Sequence, residues 1–128
     1  MTADIKPAVI EGIKELIEAF GEGNVKYTPE DSGGAIVFVN NVDVGGTYAP
    51  SIVWFGFIIT FNYPHADVYP HYCNLKRSDG NALGGGFGNA NWQGKDCVQI
   101  SRRSNNWNPA TDTAALKLAK VIKWVKEQ

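Results

Sequence analysis

The stretch from Ala35 to Thr60 restricts this chain to few folds. Ala35-Ile-Val-Phe-Val39 and Ser51-Ile-Val-Trp-Phe55, the second continuing through Phe57-Ile-Ile-Thr60, are dense in β-branched and aromatic residues, which suit a pleated, half-buried surface. Asn40-Asn41 and Gly45-Gly46 fall between the two runs and mark turns. Successive strands with short connections pair antiparallel, because a parallel pair needs a long crossover. The pattern predicts an antiparallel meander of three or four strands with the aromatic residues in its core.

Helical spacing flanks the meander on both sides. Val9, Ile13, Leu16 and Phe20 recur at helical intervals, Ile10 and Ile17 widen the stripe, and Glu11, Lys14, Glu15 and Glu18 take the wet face. Gly21 and Gly23 stop this helix. Near the other end, Thr111 or Asp112 caps a helix whose apolar face is Ala115, Leu118, Ala119, Ile122 and Val125, with Lys117, Lys120, Lys123 and Lys126 on the solvated side. Both helices are expected to pack on the sheet, giving one α+β domain over residues 1–128.

Charge and thiol count narrow the function classes. Twelve Lys and Arg against 13 Asp and Glu give a net charge of −1, which supplies no attraction for nucleic acid or an anionic membrane. No run is long and apolar enough to span a bilayer. The start, MTADIKPAVIEGIK, carries acids and a proline where a secretory signal needs a basic start and an apolar run. The expectation is a cytoplasmic protein in which Cys73 and Cys97 are free thiols and not a disulfide.

The segment 61–73, FNYPHADVYPHYC, contains two prolines and is expected to be an extended loop at the sheet edge. His65, His71, Cys73 and Cys97 form a Cys2His2 set on paper, but without close-set ligand pairs, so no metal is expected. Gly84-Gly85-Gly86 lacks the Lys-Ser/Thr of a phosphate loop and reads as a flexible approach to the polar segment beginning at Phe87. Phe87 to Asp96 has no hydrophobic period and reads as irregular backbone, with a short extended piece at Cys97–Ile100 and a turn at Asn105–Pro109. Cys97 at the exit of that polar loop is expected to be partly exposed, as a nucleophilic thiol requires, while Cys73 in its aromatic run is a small packed side chain.

The run Phe87-Gly-Asn-Ala-Asn-Trp-Gln-Gly-Lys-Asp-Cys97 resembles the active-site segment of ubiquitin-conjugating enzymes, where His-Pro-Asn precedes a polar turn, a glycine and the catalytic cysteine. Asn89 stands eight residues before Cys97 and Gly94 three before it, as in that family. Trp107-Asn-Pro109 resembles the family's Trp-Ser-Pro, and Tyr63-Pro64 with Tyr69-Pro70 resembles its paired aromatic-proline motif. The resemblance covers about half the chain. It implies a UBC-like fold and a thioester carrier needing no cofactor, with Cys97 as nucleophile. Asn89 would be a donor to the oxyanion or a brace for the loop. The implied partners are a ubiquitin-like protein, an activating-enzyme-like protein and a protein target.

Lys95, Arg102 and Arg103 would favour the thiolate if close to Cys97, and Asp96 would oppose it. Departures from the family are Phe87-Gly88 in place of His-Pro, two extra residues between Cys97 and Trp107, a mostly acidic first helix, and a single helix after the site. They align the chain with compact bacterial relatives. The alternative is a catalytically inactive UBC- or RWD-like protein-binding module. A third reading, an unrelated cysteine hydrolase, would need His65 or His71 as base.

Overall fold

A computed structural model describes residues 4–128. In chain order the elements are α1 (Pro7–Phe20), β1 (Val25–Pro29), β2 (Ala35–Asp43), β3 (Ile52–Ile59), β4 (His71–Cys73), β5 (Phe87–Trp92), β6 (Lys95–Ile100) and α2 (Ala114–Lys126). The six strands form one antiparallel sheet in the order β1-β2-β3-β4-β6-β5. The architecture is α+β, with two more strands than the largest meander the sequence predicted.

Strand alternation divides the sheet into two faces. Val37, Val39, Phe55, Phe57, Ile59, His71, Cys73, Val98 and Ile100 share one face and are all buried; apart from His71 they form one cluster with Val9, Ile13 and Leu16 of α1 and Leu118, Val121 and Val125 of α2. Pro7 opens α1, where its missing N–H costs nothing, and Gly21 ends it at φ 99°. Thr113, and not Thr111 or Asp112, caps α2: its Oγ1 accepts from the Leu116 N–H at 3.1 Å. Asp112 instead accepts from the Asn108 N–H at 2.8 Å, in the preceding turn. The buried stripe of α2 is Ala114, Lys117, Leu118, Val121 and Val125. It is rotated from the expected stripe, so Lys117 leaves the lysine row and enters the core side.

Two segments expected as loop, 71–73 and most of 87–96, are strand, and the extended piece expected at Cys97–Ile100 lies within β6. His71–Cys73 is β4, short but internal, lying between β3 and β6 with its prolines left outside the ladder. Residues 87–92 and 95–100 form a hairpin closed by Gln93 at φ 52° and Gly94 at φ 76°, the positive pair that a two-residue type I′ turn requires. The hairpin is held from the second face of the sheet. Trp92 stacks on Tyr72 with centroids 4.5 Å apart and planes 7° from parallel, and leans on Phe38 at 5.2 Å. Gly56 lies beneath that indole, where a Cβ would meet the ring at 2.2 Å. Gly56→Ala is therefore expected to push Trp92 off Tyr72 and cost about 1–3 kcal/mol. The readout is a lower urea midpoint with altered tryptophan fluorescence, and an unchanged midpoint would refute the role given to the stack.

Among the described residues, no helix is long and apolar enough to cross a membrane.

Candidate functional site

Cys97 sits where the sheet opens. The β4–β6 ladder runs His71–Ile100, Tyr72–Gln99 and Cys73–Val98, and there it stops. Cys97 is the next residue along β6. Beyond it the 74–83 segment diverges from the hairpin and leaves a cleft of about 670 Å³, lined among others by Asn74, Leu75, Arg77, Leu83, Asn89 and Cys97. Cys97 is half-buried and Cys73 fully buried. Cys73 shares the core face with its partner Val98, so by strand alternation Cys97 faces the other way. The two sulfurs are on opposite faces of the sheet, and both are free thiols.

The same register separates Asn89 from Cys97. Asn89 is paired with Val98, while Cys97 is paired with Ala90. Directly opposed residues share a face, so the Asn89 amide projects from the side of the hairpin opposite the thiol. Both residues border one cleft, but their side chains leave the hairpin on opposite faces, so the pair that the resemblance implies is not brought together. The cause is the hairpin itself: an irregular loop could fold an amide back over a thiol, and a regular ladder fixes it by parity.

No protein-family model matches the chain, and no curated protein or solved structure matches it.

Burial raises the Cys97 thiol above its ordinary range, the Trp92 backbone amide partly offsets this, and the Asp96 charge adds to the rise. The cations the sequence offered as thiolate partners are engaged elsewhere. Lys95 Nζ lies over the Phe38 ring at 5.9 Å, and the Arg102 guanidinium over Trp124 at 4.6 Å. Arg103 lines a different cavity, together with Arg102. Cys97 is a thiol protonated at neutral pH, reactive only through its small thiolate fraction.

Neither histidine lines the cleft that Cys97 borders. His65 is exposed. His71 faces the core, its ring 5.0 Å from that of Phe57, and both ring nitrogens are buried without a hydrogen-bond partner. Among the described residues no group of three or more His, Cys, Asp or Glu side chains gathers as a metal cluster would.

A polar anchor that the sequence did not reveal lies away from this cleft's lining. Lys117 Nζ donates to both Asp67 carboxylate oxygens at 3.1 Å and to Ser104 Oγ at 2.6 Å, and the Ser104 N–H donates to Asp67 Oδ2 at 2.7 Å. Trp107 Nε1 donates to the Pro64 carbonyl at 2.6 Å. These bonds tie the segment after β6 to the 61–70 loop and to α2. The available signal was the spacing of Lys117 with Ala114, Val121 and Val125, but lysine at such a position reads as solvated.

His71 gives this core a pH response. Burial, reinforced by the Lys117 charge and opposed by Asp67, lowers the ring from the ordinary 6.5 to about 3. Between those values unfolding takes up a proton. The stability is therefore complete above 6.5 and falls by about 1.4 kcal/mol per pH unit on the way down to the folded value. Taking the wild type from pH 6.5 to 4.5 is expected to cost about 2–3 kcal/mol more than in His71→Met. Equal losses by urea titration in both proteins would contradict this.

Proposed function

We propose that the protein is a compact UBC-like carrier that accepts a ubiquitin-like protein on Cys97 as a thioester and passes it to an amine of a protein target. The observation that carries the reading is the contrast between the two thiols: Cys97 is half-buried on the second face of the sheet, in a residue that borders the cleft, and Cys73 is sealed in the core. The element order, helix, antiparallel sheet, helix, agrees with the resemblance at the level of an α+β class, although Cys97 lies in a hairpin of the sheet and not in the loop that the resemblance implies. In the loading step the Cys97 thiolate attacks the thioester carbonyl of the charged activating enzyme. The tetrahedral intermediate then expels that enzyme's thiolate, which takes up a proton. In the transfer step a target amine attacks the new thioester, an amide forms, Cys97 leaves as thiolate, and the proton released by the amine nitrogen returns to that thiolate through solvent.

The raised thiol suits storage. A thiol of high pKa is a poor leaving group, so its thioester resists adventitious exchange, while its thiolate is the stronger nucleophile when formed. No metal or organic cofactor enters either step. Asn89 takes no oxyanion role in this scheme, since it stands on the far face; its part is confined to pairing β5 with β6.

A second reading, an inactive UBC- or RWD-like protein-binding module, is favoured by that same missing donor. The test is incubation with a ubiquitin-like protein, its activating enzyme and ATP, followed by electrophoresis with and without reductant. A thiol-sensitive adduct is expected. No adduct, together with a Cys97 that resists iodoacetamide in the folded protein, would favour the binding module.

A further inference from the structure

We infer that a second cavity, between the segment after β6 and α2, binds a small phosphate-bearing anion. The cavity holds about 510 Å³ and is lined by Arg102, Arg103, Asn105, Asn106, Lys120 and Trp124, among others. Its charge is one-sided. Neither Arg102 nor Arg103 has an ion-pair partner among the described residues, and Lys120 reaches Asp112 only at 3.9 Å, with 72% of its side chain exposed. Asp112 also accepts the Asn108 N–H at 2.8 Å. Three cations against one carboxylate leave a surplus of two positive charges, in a chain whose total is −1.

Lys117 lines the base of the cavity and is 5% exposed, but Asp67 and Ser104 hold its ammonium, so it adds no free charge. It does register the field above it. Lys120 and Arg102 both push its proton affinity down, beyond the larger effect of burial.

The donor set fits phosphate better than a lone carboxylate. Arg102, Arg103 and Lys120 supply two guanidinium forks and one ammonium to the lining, which also includes Asn105 and Asn106. Several donors from different directions match a tetrahedral group with three or more acceptor oxygens. Arg102 is already fixed as a plank over Trp124 at 4.6 Å, so little side-chain freedom remains to be lost on binding. A nucleic-acid strand is disfavoured, because its backbone needs an extended basic track and this chain is slightly acidic overall.

The test is calorimetric titration of the full chain with inorganic phosphate, AMP and phosphoserine, at ionic strength held constant with chloride. Saturable one-site binding is expected in at least the phosphate arm, and the tightest of the three names the source as free ion, nucleotide or protein-borne phosphate. Arg103→Gln and Lys120→Gln, both at exposed positions, are each expected to weaken binding about tenfold. Asp112→Asn is expected to tighten it. Absence of saturable binding in all three arms would overturn the inference. So would an affinity unchanged in the Arg103→Gln/Lys120→Gln double variant with a wild-type thermal midpoint. Neither result bears on Cys97, which lines the other cleft.

Discussion

Changing Cys97 to Ala is expected to abolish thioester formation outright, whereas Cys73→Ala is expected to load as the wild type does. The difference follows from access: the Cys73 side chain is fully buried beneath the sheet, and burial drives its thiol far above the range in which a thiolate forms. Cys97→Ser should collect an adduct that survives reductant, because an oxyester replaces the thioester. Asn89→Ala is expected to leave loading and discharge unchanged, since the amide projects away from the sulfur. A slowed discharge in that variant would restore the oxyanion role and contradict the strand parity. The raised Cys97 thiol adds a pH signature. Below its pKa the thiolate fraction grows about tenfold per pH unit, so the single-turnover loading rate should climb with unit slope from pH 6 through 8. A plateau near neutrality would mean that some group activates the thiol.

Which parts of the fold were legible depended on whether local pattern and tertiary packing agreed. In α1, β2 and β3 they do: Ile13 and Leu16 of the helical stripe, and Val37, Phe55 and Phe57 of the strand runs, are all buried. The hairpin 87–100 breaks the agreement. Phe-Gly-Asn-Ala-Asn is poor in β-formers, and Gln-Gly is a weak hairpin signal, yet Trp92 stacked on Tyr72 over Gly56 draws the segment into the sheet. Tertiary contact overrides propensity there. That override also decided the site. Eight residues of loop can bring Asn89 over Cys97; the same eight residues in a ladder cannot, because the side chains alternate. The burial of Cys73 and the partial exposure of Cys97 were legible in their surroundings, one aromatic and one polar. Lys117 was misplaced because its buried position depends on Asp67, fifty residues away in sequence, and no local window contains both.

Asp67→Ala is expected to destabilise the protein by about 3–5 kcal/mol, because it leaves the Lys117 ammonium buried without its counter-charge. Lys117 is 5% exposed and Asp67 9%, so water cannot take over the lost partner without opening the structure. That cost is a large share of the total stability of about 5–15 kcal/mol usual for a domain. Asp67→Asn keeps an acceptor and should lose less. Lys117→Met should also lose less, since the remaining carboxylate still accepts from the Val68 and Ser104 backbone amides at 2.7 Å each. The double change Asp67→Ala/Lys117→Met should recover most of the loss. A buried pair stabilises weakly against an apolar replacement, and its breakage is what costs. Urea midpoints for the four variants would check this; a double variant that loses the sum of the singles would show that the pair does not act as a unit. One further response separates charge from packing. Burial already depresses the Lys117 ammonium, and Asp67 is the largest influence raising it back. Without Asp67 the folded-state value falls further below the unfolded one. Above that folded value the native state is neutral while the unfolded chain stays protonated, so the stability of Asp67→Ala should recover as pH rises toward the ordinary lysine range. A packing defect alone would show no such recovery.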